Sequence, residues 1–589
     1  MADSISIEEV KAHFEHCRSS LQYTEWVERA RQSHDYYDGI QWTQEEIDAL
    51  TSRSQPAIVV NRIGPKVDSL VGSEKVSRTR IGFRARSLDV EDMAIADALT
   101  ADAYAFQENS MSNYAISDVF KDALINGLGW IKISNRGVGF RREMEYIDPF
   151  EMVWDVDDMT PRMSNQRYVF HTAMVDIRDL LAAYPDKEKD IREGVVGIDT
   201  ATKSPDLFDF TATTSGDFST RGLEGYYEAK KNQVLVVTAQ VKVPNTFYEY
   251  TDERGKKRRV LEESYANDNK LDGTDVDEVV VDAVYEYVFT GSIILEEGLL
   301  SEQDEQFEYI PLILKRMSRT GIPYGLVENA KDPQQEINKR RSKMMHLLNT
   351  NQLVIAGDPT DDFEYLRKEA ARPDGVLVTN AELDIRNNLQ LADGQFRAYQ
   401  QSQADLSEAM GIHDEFIGEQ TNAVSGRAIS QRQSATMKNQ AYAFDALSMF
   451  KRRVGLKMLS LIKSIDGKLL VEFQPANDPM AESRQILLND TYEYNGKEVY
   501  VFDVNSAELG VVVEETGDYA APPQEAADRL MNVLMNGQGF VLQSPALARL
   551  LGFRNAEDIA RQVANLPASP EQQQAADEGA APQTLPGAQ

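Results

Sequence analysis

The sequence predicts an α+β protein of several domains, and three observations carry that prediction. The stretch from Gly418 to Asp466 contains no proline and, after a turn signal, runs through helix formers to a stop at Asp466-Gly467. A second helix signal opens at Asp332-Pro333, with Gln335 completing a capping-box arrangement, and runs to about Gln352. Around both lie β-branched and aromatic runs bounded by turn residues, such as Val279 to Phe289 and Ile310 to Leu314. With 589 residues, apolar material for a core is ample, and length alone suggests roughly three to five domains or one elongated multi-domain subunit.

Composition bounds the function. A chain that is 42% hydrophobic and 27% charged has the make-up of an ordinary water-soluble protein. No run approaches the ~18 uncharged apolar residues of a membrane span, and Met1-Ala2-Asp3-Ser4 opens no basic-then-apolar leader, so neither membrane insertion nor export by that route is expected. Cys17 is the single cysteine, which rules out a disulfide within the chain and suits a reducing compartment. The net charge of −33 argues against a protein that grips DNA by neutralising phosphates. It suits a wall past which a duplex slides, since each phosphate contact would make a well in the path; it equally suits plain solubility. No phosphate-cradling Gly-x-x-x-x-Gly-Lys-Ser/Thr, Gly-x-Ser-x-Gly, His-Glu-x-x-His or Gly-x-Gly-x-x-Gly occurs, so no enzyme, cofactor or metal is expected.

In chain order, residues 1 to 56 read as helical, with Gly39 closing a helix that starts near Trp26. His13, His16 and Cys17 fall on about one helical turn, but the chain offers no other cysteine and ordinary helix side chains are the better reading. Ala57 to Ile63 reads as a short strand before a helix bearing Val67, Leu70 and Val71. Ile81 to Ala85 is a strand, Val90 to Asn113 and Tyr114 to Asn126 are helices, and Gly127 turns into the strand Leu128 to Ile133. Glu145 to Asp155 reads as β structure ending in the acidic turn Asp155-Val156-Asp157-Asp158. Its carboxylates suit either a hard cation or Asp side chains bonding their own backbone, and the spacing fits no EF-hand. Tyr168 to His171 is a partner strand, and Asp186 to Gly225 a loop-rich insertion.

Val234 to Tyr250 alternates as strands with Pro244 as an interruption, and Val279 to Phe289 with Ile293 to Leu295 forms a hairpin-like pair. The second helix signal concentrates Lys331, Lys339, Arg340, Arg341 and Lys343 inside an acidic protein, which fits nucleic-acid contact or salt bridges to carboxylates. Gly394 to Met410 is helical. In the long stretch, Asn422 or Ser425 serves as N-cap, and Met437, Ala441, Phe444, Leu447, Val454, Met458, Leu461 and Ile465 make an apolar stripe. Its first half is polar, as in a surface helix or one held by a second copy of the chain.

Several blocks together resemble the portal proteins of short-tailed, P22-like bacteriophages. They are Ile412 to Gly418, Asn422 to Ile429 and Phe444 to Leu447; then Ile58 to Ile63, Glu145 to Asp155, Lys331 to Lys343, Arg372 to Val378, and Val511 to Ala520 with the helix from Pro523. Within them Asn422, Ser425, Gly426 and Arg427 carry the family signature, and Lys331, Lys339, Arg340, Arg341 and Lys343 are the candidate channel-lining or subunit-interface residues. The resemblance implies wing, stem, clip and crown regions assembling into a ring: a wing over 1–225 and 357–505 with a long helix at 425–466, a stem and clip segment at 226–327, a stem helix at 328–356, a crown at 506–566 and a disordered tail at 567–589. It further implies about twelve copies at one capsid vertex, acting as conduit for double-stranded DNA. The implied partners are the terminase large subunit, head–tail adaptor or tail proteins, major capsid protein and scaffold, and no membrane. A different virion ring, such as an adaptor or ejection protein, and a metal-dependent nuclease built on Asp155, Asp157 and Asp158 are the alternatives.

Overall fold

The computed structural model describes residues 5–87, 89–137, 141–191, 233–251, 257–271, 273–290, 293–301, 305–349, 351–356, 382–387, 389–414, 436–464, 468–473, 484–494, 497–504 and 507–515. It divides into two units, 1–75 with 81–513 and 76–80 with 514–589. Of the second, only 76–80 and 514–515 fall among the described residues.

The chain starts with three helices, α1 (Ile7–Ser19), α2 (Leu21–Asp38) and α3 (Gln44–Ser52). Capping boxes at Ser6/Glu9 and Thr43/Glu46 fix the starts of α1 and α3, and Gly39 at φ 85° ends α2. An extended segment leads to α4 (Ile63–Val76), β1 (Thr79–Ala85), α5 (Val90–Asn109) and α6 (Ser112–Asn126). Strands follow: β2 (Leu128–Gly137), β3 (Arg141–Ile147), β4 (Met152–Trp154) and β5 (Tyr168–Asp176), then the short helix α7 (Ile177–Ala183). Next come β6 (Gln233–Thr251), β7 (Lys257–Val260), α8 (Glu263–Asn269), β8 (Asp277–Thr290), β9 (Ile293–Leu299), β10 (Tyr309–Ile313), β11 (Lys315–Arg316) and β12 (Pro323–Tyr324). The helix α9 (Lys331–Asn349) and the helix α10 (Leu389–Met410) flank the hairpin β13 (Asn351–Ala356) and β14 (Glu382–Asn387). Last are α11 (Ala441–Lys463), β15 (Leu469–Phe473), β16 (Arg484–Leu488), β17 (Asp490–Tyr494), β18 (Lys497–Val501) and β19 (Leu509–Glu515).

Two sheets organise the interior, a six-stranded one ordered β4-β5-β6-β8-β9 with β7 on β6, and a three-stranded one ordered β10-β2-β3. The smaller sheet is buried on both faces because its side chains alternate between two cores. Ile131 and Ile133 of β2, with Ile310 and Leu312 of β10, join a core built from α4, α5, α6 and α11. Leu128 and Trp130, with Tyr309 and Ile313, join a second core beneath α1 and α2 that includes Trp26, Trp154 and Phe170. Strands from both sides of residue 225 share the larger sheet, β4 and β5 preceding it and β6 to β9 following it.

Several local expectations need correction. Ala57 to Arg62 is extended but pairs with no strand. Pro149–Glu151 forms a 3-10 turn capped by Asp148, splitting the expected β run. Pro244 does not interrupt β6, which pairs with β8 straight through Pro244↔Asp282. The reason lies in which edge lacks its N–H: Lys242 N–H donates to Arg167 O, so Pro244, two residues on, faces the same side, beyond the last β5 pair at Val241. Helix α9 begins at Lys331, so Asp332 and Pro333 sit in its first turn instead of capping it. Of the long helix expected at 425–466, residues 425–435 and 465–466 lie outside the described residues; α11 begins behind Gln440, whose side-chain amide donates to Met410 O. Its buried stripe is Ala443, Leu447, Phe450, Val454, Met458, Leu461 and Ile462, while Met437 is 39% exposed.

Gly127, at φ 92°, ends α6, and a Cβ there would lie 2.3 Å from the Tyr324 backbone, where Leu326 N–H donates to Leu124 O. Gly127→Ala therefore meets both left-handed strain and a backbone clash, and is expected to lower stability by about 2–4 kcal/mol, measured as a drop in the urea unfolding midpoint. In the first core, Asp122 accepts a hydrogen bond from Tyr146 Oη at 2.5 Å, and burial pushes its pKa up to about 7 from 3.8. The folded chain thus holds this proton between pH ~4 and ~7 where the unfolded chain has released it, so this group's contribution weakens as pH rises through that window. Asp122→Asn should flatten the fall in unfolding midpoint between those pH values; an unchanged slope would remove Asp122 as its source.

Candidate functional site

Helix α9 is held along a polar face as well as by the buried Ile337 and Met344. At its base Glu328 accepts from Arg29 Nη1 at 2.8 Å and from Lys331 Nζ at 2.6 Å, and Lys331 also donates to Arg29 O. Burial draws the Lys331 pKa below the usual lysine range, partly offset by Glu328. One face then carries Gln334, Asn338 and Ser342, each fully buried. Their oxygens take the backbone N–H groups of Arg62 at 3.1 Å, Val60 at 2.9 Å and Ile58 at 3.0 Å, and Gln334 Nε2 returns a bond to Val60 O at 2.7 Å. The match is geometric. Four residues of helix rise about 6 Å and two of extended chain about 6.7 Å, so side chains at i, i+4 and i+8 meet alternate amides of an antiparallel strand. Asn338 Nδ2 extends the set to Gln41 Oε1 at 2.6 Å.

The opposite face holds the predicted cations. Lys339 pairs with Glu46 at 3.3 Å, and Arg340 with Glu336 at 2.8 Å and with Gln395 of α10 at 3.1 Å. The Arg341 guanidinium lies 6.0 Å from the Tyr399 ring centre, and Lys343 is exposed. Asp332, Gln335, Glu336, Lys339, Arg340, Lys343 and Gln395 line one open depression of about 300 Å³. Lys331, by contrast, is packed into the helix base, away from that depression's lining. Carboxylates, amides and cations in this arrangement suit polar docking contacts, and exposed pairs of this kind contribute only ~0–1 kcal/mol each. Sequence reasoning missed Gln334, Asn338 and Ser342, although their four-residue spacing was there to read.

Asn422, Ser425, Gly426 and Arg427 lie outside the described residues. Just before them, Lys66 of α4, 2% exposed, donates to Ile412 O at 2.8 Å, Ser407 Oγ at 3.1 Å and Asp414 Oδ1 at 2.7 Å. The acidic turn takes its backbone-bonded form. Asp155 accepts from the N–H groups of Asp157 and Arg167, and Asp158 from those of Thr160 and Asn165. These carboxylate oxygens are engaged, which argues against the nuclease alternative. Burial raises the Asp155 pKa despite those bonds. His13 stacks on Tyr168 at 4.8 Å, His16 lies 3.8 Å from Asp157, and burial pushes the Cys17 thiol up to about 12. Among the described residues, no group of His, Cys, Asp or Glu is placed to hold a metal ion.

In this mixed helix-and-sheet chain, buried polar groups brace the charged helix α9. The chain belongs to the phage P22-like portal protein family, whose sequence model matches residues 11–589. It is thus a structural protein of the bacteriophage virion, with a portal role. No curated protein matches it significantly. Among the described residues no helix is long and apolar enough to cross a membrane.

Asn338→Ala should cost about 2–4 kcal/mol, because it leaves Val60 N–H and Gln41 Oε1 buried without their partner. Hydrogen exchange would report it as faster exchange at Val60 and Arg62; unchanged protection there would contradict the ladder's role.

Proposed function

We propose that the chain assembles into a closed ring of about twelve copies at one capsid vertex, forming the channel through which double-stranded DNA is packaged and ejected. The observation that carries this reading is the family match from residue 11 to 589, since it spans every described element from within α1 onward. The ring docks the terminase large subunit during packaging, then head–tail adaptor or tail proteins, and sits among major capsid and scaffolding subunits. Assembly takes place in the host cytoplasm, and the ATPase is the separate terminase.

In this reading the stem is the antiparallel pair α9 and α10, and the β13–β14 hairpin at their shared end is the clip. Support for this placement, in preference to 226–327, is that β6 to β9 are woven into the same sheet as β4 and β5, whereas β13 and β14 pair only with each other and lie between α9 and α10 in the chain. The remaining sheet and helices serve as the wing, and residues 506–566 as the crown. The cations of α9 lie on the stem, at the channel or between neighbouring copies.

Electron microscopy of the purified full-length chain, with scaffold supplied where assembly needs it, should show rings with a central hole. Monomers and dimers alone under all those conditions would sink the reading. Arg340→Glu with Arg341→Glu should cut ring yield or DNA packaging by roughly tenfold or more. Wild-type values for both would remove these residues from the function.

A further inference from the structure

Part of the large sheet has two open edges of opposite charge. β5 pairs with β6 only as far as Val241, and β9 with β8 only as far as Tyr285. The β6–β8 ladder runs on to Glu249↔Asp277, and β7 joins β6 from Tyr248↔Val260. This leaves a ribbon ordered β7-β6-β8, with no strand beside either outer edge among the described residues.

The hydrogen-bond parity of the ladder tells which residues face outward. Lys242 N–H donates to Arg167 O on the β5 side, and Val284 O accepts from Leu300 N–H on the β9 side. In an antiparallel ladder, a residue's N–H and C=O point the same way, and the direction alternates with period two. Counting along the unshifted register, Glu278, Val280 and Asp282 turn their backbone groups outward on β8, and Lys257 and Arg259 on β7. One edge is therefore acidic and the other basic. Val280, in the middle of the acidic edge, is 68% exposed. Lys257 lies 3.8 Å from Glu249, and Arg259 pairs with Glu305, both through their side chains.

Both β7 and β8 run antiparallel to β6, so they are parallel to each other. Rotation about a ring axis brings β7 of one copy alongside β8 of the next in the same sense, and the contact repeats head to tail until the ring closes. We propose that neighbouring copies of this chain join here, with β7 of one adding as a parallel strand to the Glu278–Asp282 edge of the next. The partner is a second copy because one molecule carries both complementary edges, and long open edges left uncovered invite uncontrolled pairing. The inference rests on the ring reading above.

The test is cross-linking of the full-length chain carrying Arg259→Cys with Val280→Cys. Within one copy Arg259 stands opposite Glu249 and Val280 opposite Thr246, so the two positions lie two strand spacings across and three residues along, roughly 14 Å apart, beyond the ~7 Å Cα limit for a disulfide, and oxidation links only different copies. A reductant-sensitive ladder of covalent oligomers is expected, with nothing above dimer for either single substitution. In parallel, Lys257→Glu with Arg259→Glu should weaken assembly about tenfold in mass photometry, and adding Glu278→Lys with Asp282→Lys should restore it. Circular dichroism checks that the variants fold. Wild-type assembly with no ladder and no charge effect overturns the edge pairing and leaves the ring standing. Wild-type chain that never assembles, with or without scaffold, overturns both.

Discussion

The extended chain from Ile58 to Arg62 has no strand beside it, so its inward amides depend on Gln334, Asn338 and Ser342. Each bond alone contributes only about 1 kcal/mol net, yet leaving any of these buried groups unpaired costs ~1–3 kcal/mol. The ladder is therefore close to all-or-none. It fixes the axial position of α9 against the N-terminal helices to within one helical turn, because a shift must either break every rung or advance by a whole repeat. Pro56, which has no N–H to offer, removes one of the alternative registers. The Arg29–Glu328–Lys331 cluster then pins the helix base.

Much of the fold was legible because it follows apolar periodicity. The helices α2, α4 and α6 and the strands β2, β5 and β10 lie where side-chain spacing puts them, and the α+β class follows. The strap at 57–62 carries a β-like local signal, and only a helix 272 residues away in the chain, measured from Arg62 to Gln334, decides that its partner is side chains. Pro244 misled for the opposite reason, since what it does to a strand depends on which side has a neighbour. In the site, basic residues were easy to see, but not their partners Glu46 and Gln395, which come from other elements. The polar stripe on α9 was missed because a search for apolar periodicity passes over a helix face that is buried through hydrogen bonds.

Helix α11 shows the same blending of apolar and polar burial. Its stripe packs the first core, and Gly455 lets it close on β1 and β19, where a Cβ would lie 2.7 Å from Ile81 and 2.5 Å from Val511. On the flanks of that stripe, Lys451 reaches Glu74 of α4 at 3.2 Å, both only 3% exposed, and Ser117 donates to the same carboxylate. Lys457 donates to Gln306 O at 2.7 Å. Buried ion pairs add little net stability over apolar packing, but breaking one leaves an uncompensated charge, so they select one packing among many. With Lys66 holding Ile412 and Asp414, such pairs tie α4 both to the residues that follow α10 and to α11.

The electrostatics of α9 and of the whole chain then bear on how a portal handles a duplex. A free cationic helix would release counterions at every phosphate it met and so hold DNA in discrete registers. Lys339 and Arg340 are not free in that sense, because Glu46 and Glu336 already sit against them. A passing phosphate has to compete with an existing carboxylate, which reduces the gain from contact to the difference between two similar ion pairs. On a chain whose net charge is −33, such pairing makes shallow wells at these two positions. In the channel proposed above, cations paired in this way would act mainly to fix helices against each other, and acidity would keep the path unobstructed. A basic helix and an acidic chain are compatible in that channel because Lys339, Arg340 and Arg341 each sit against a carboxylate or a ring.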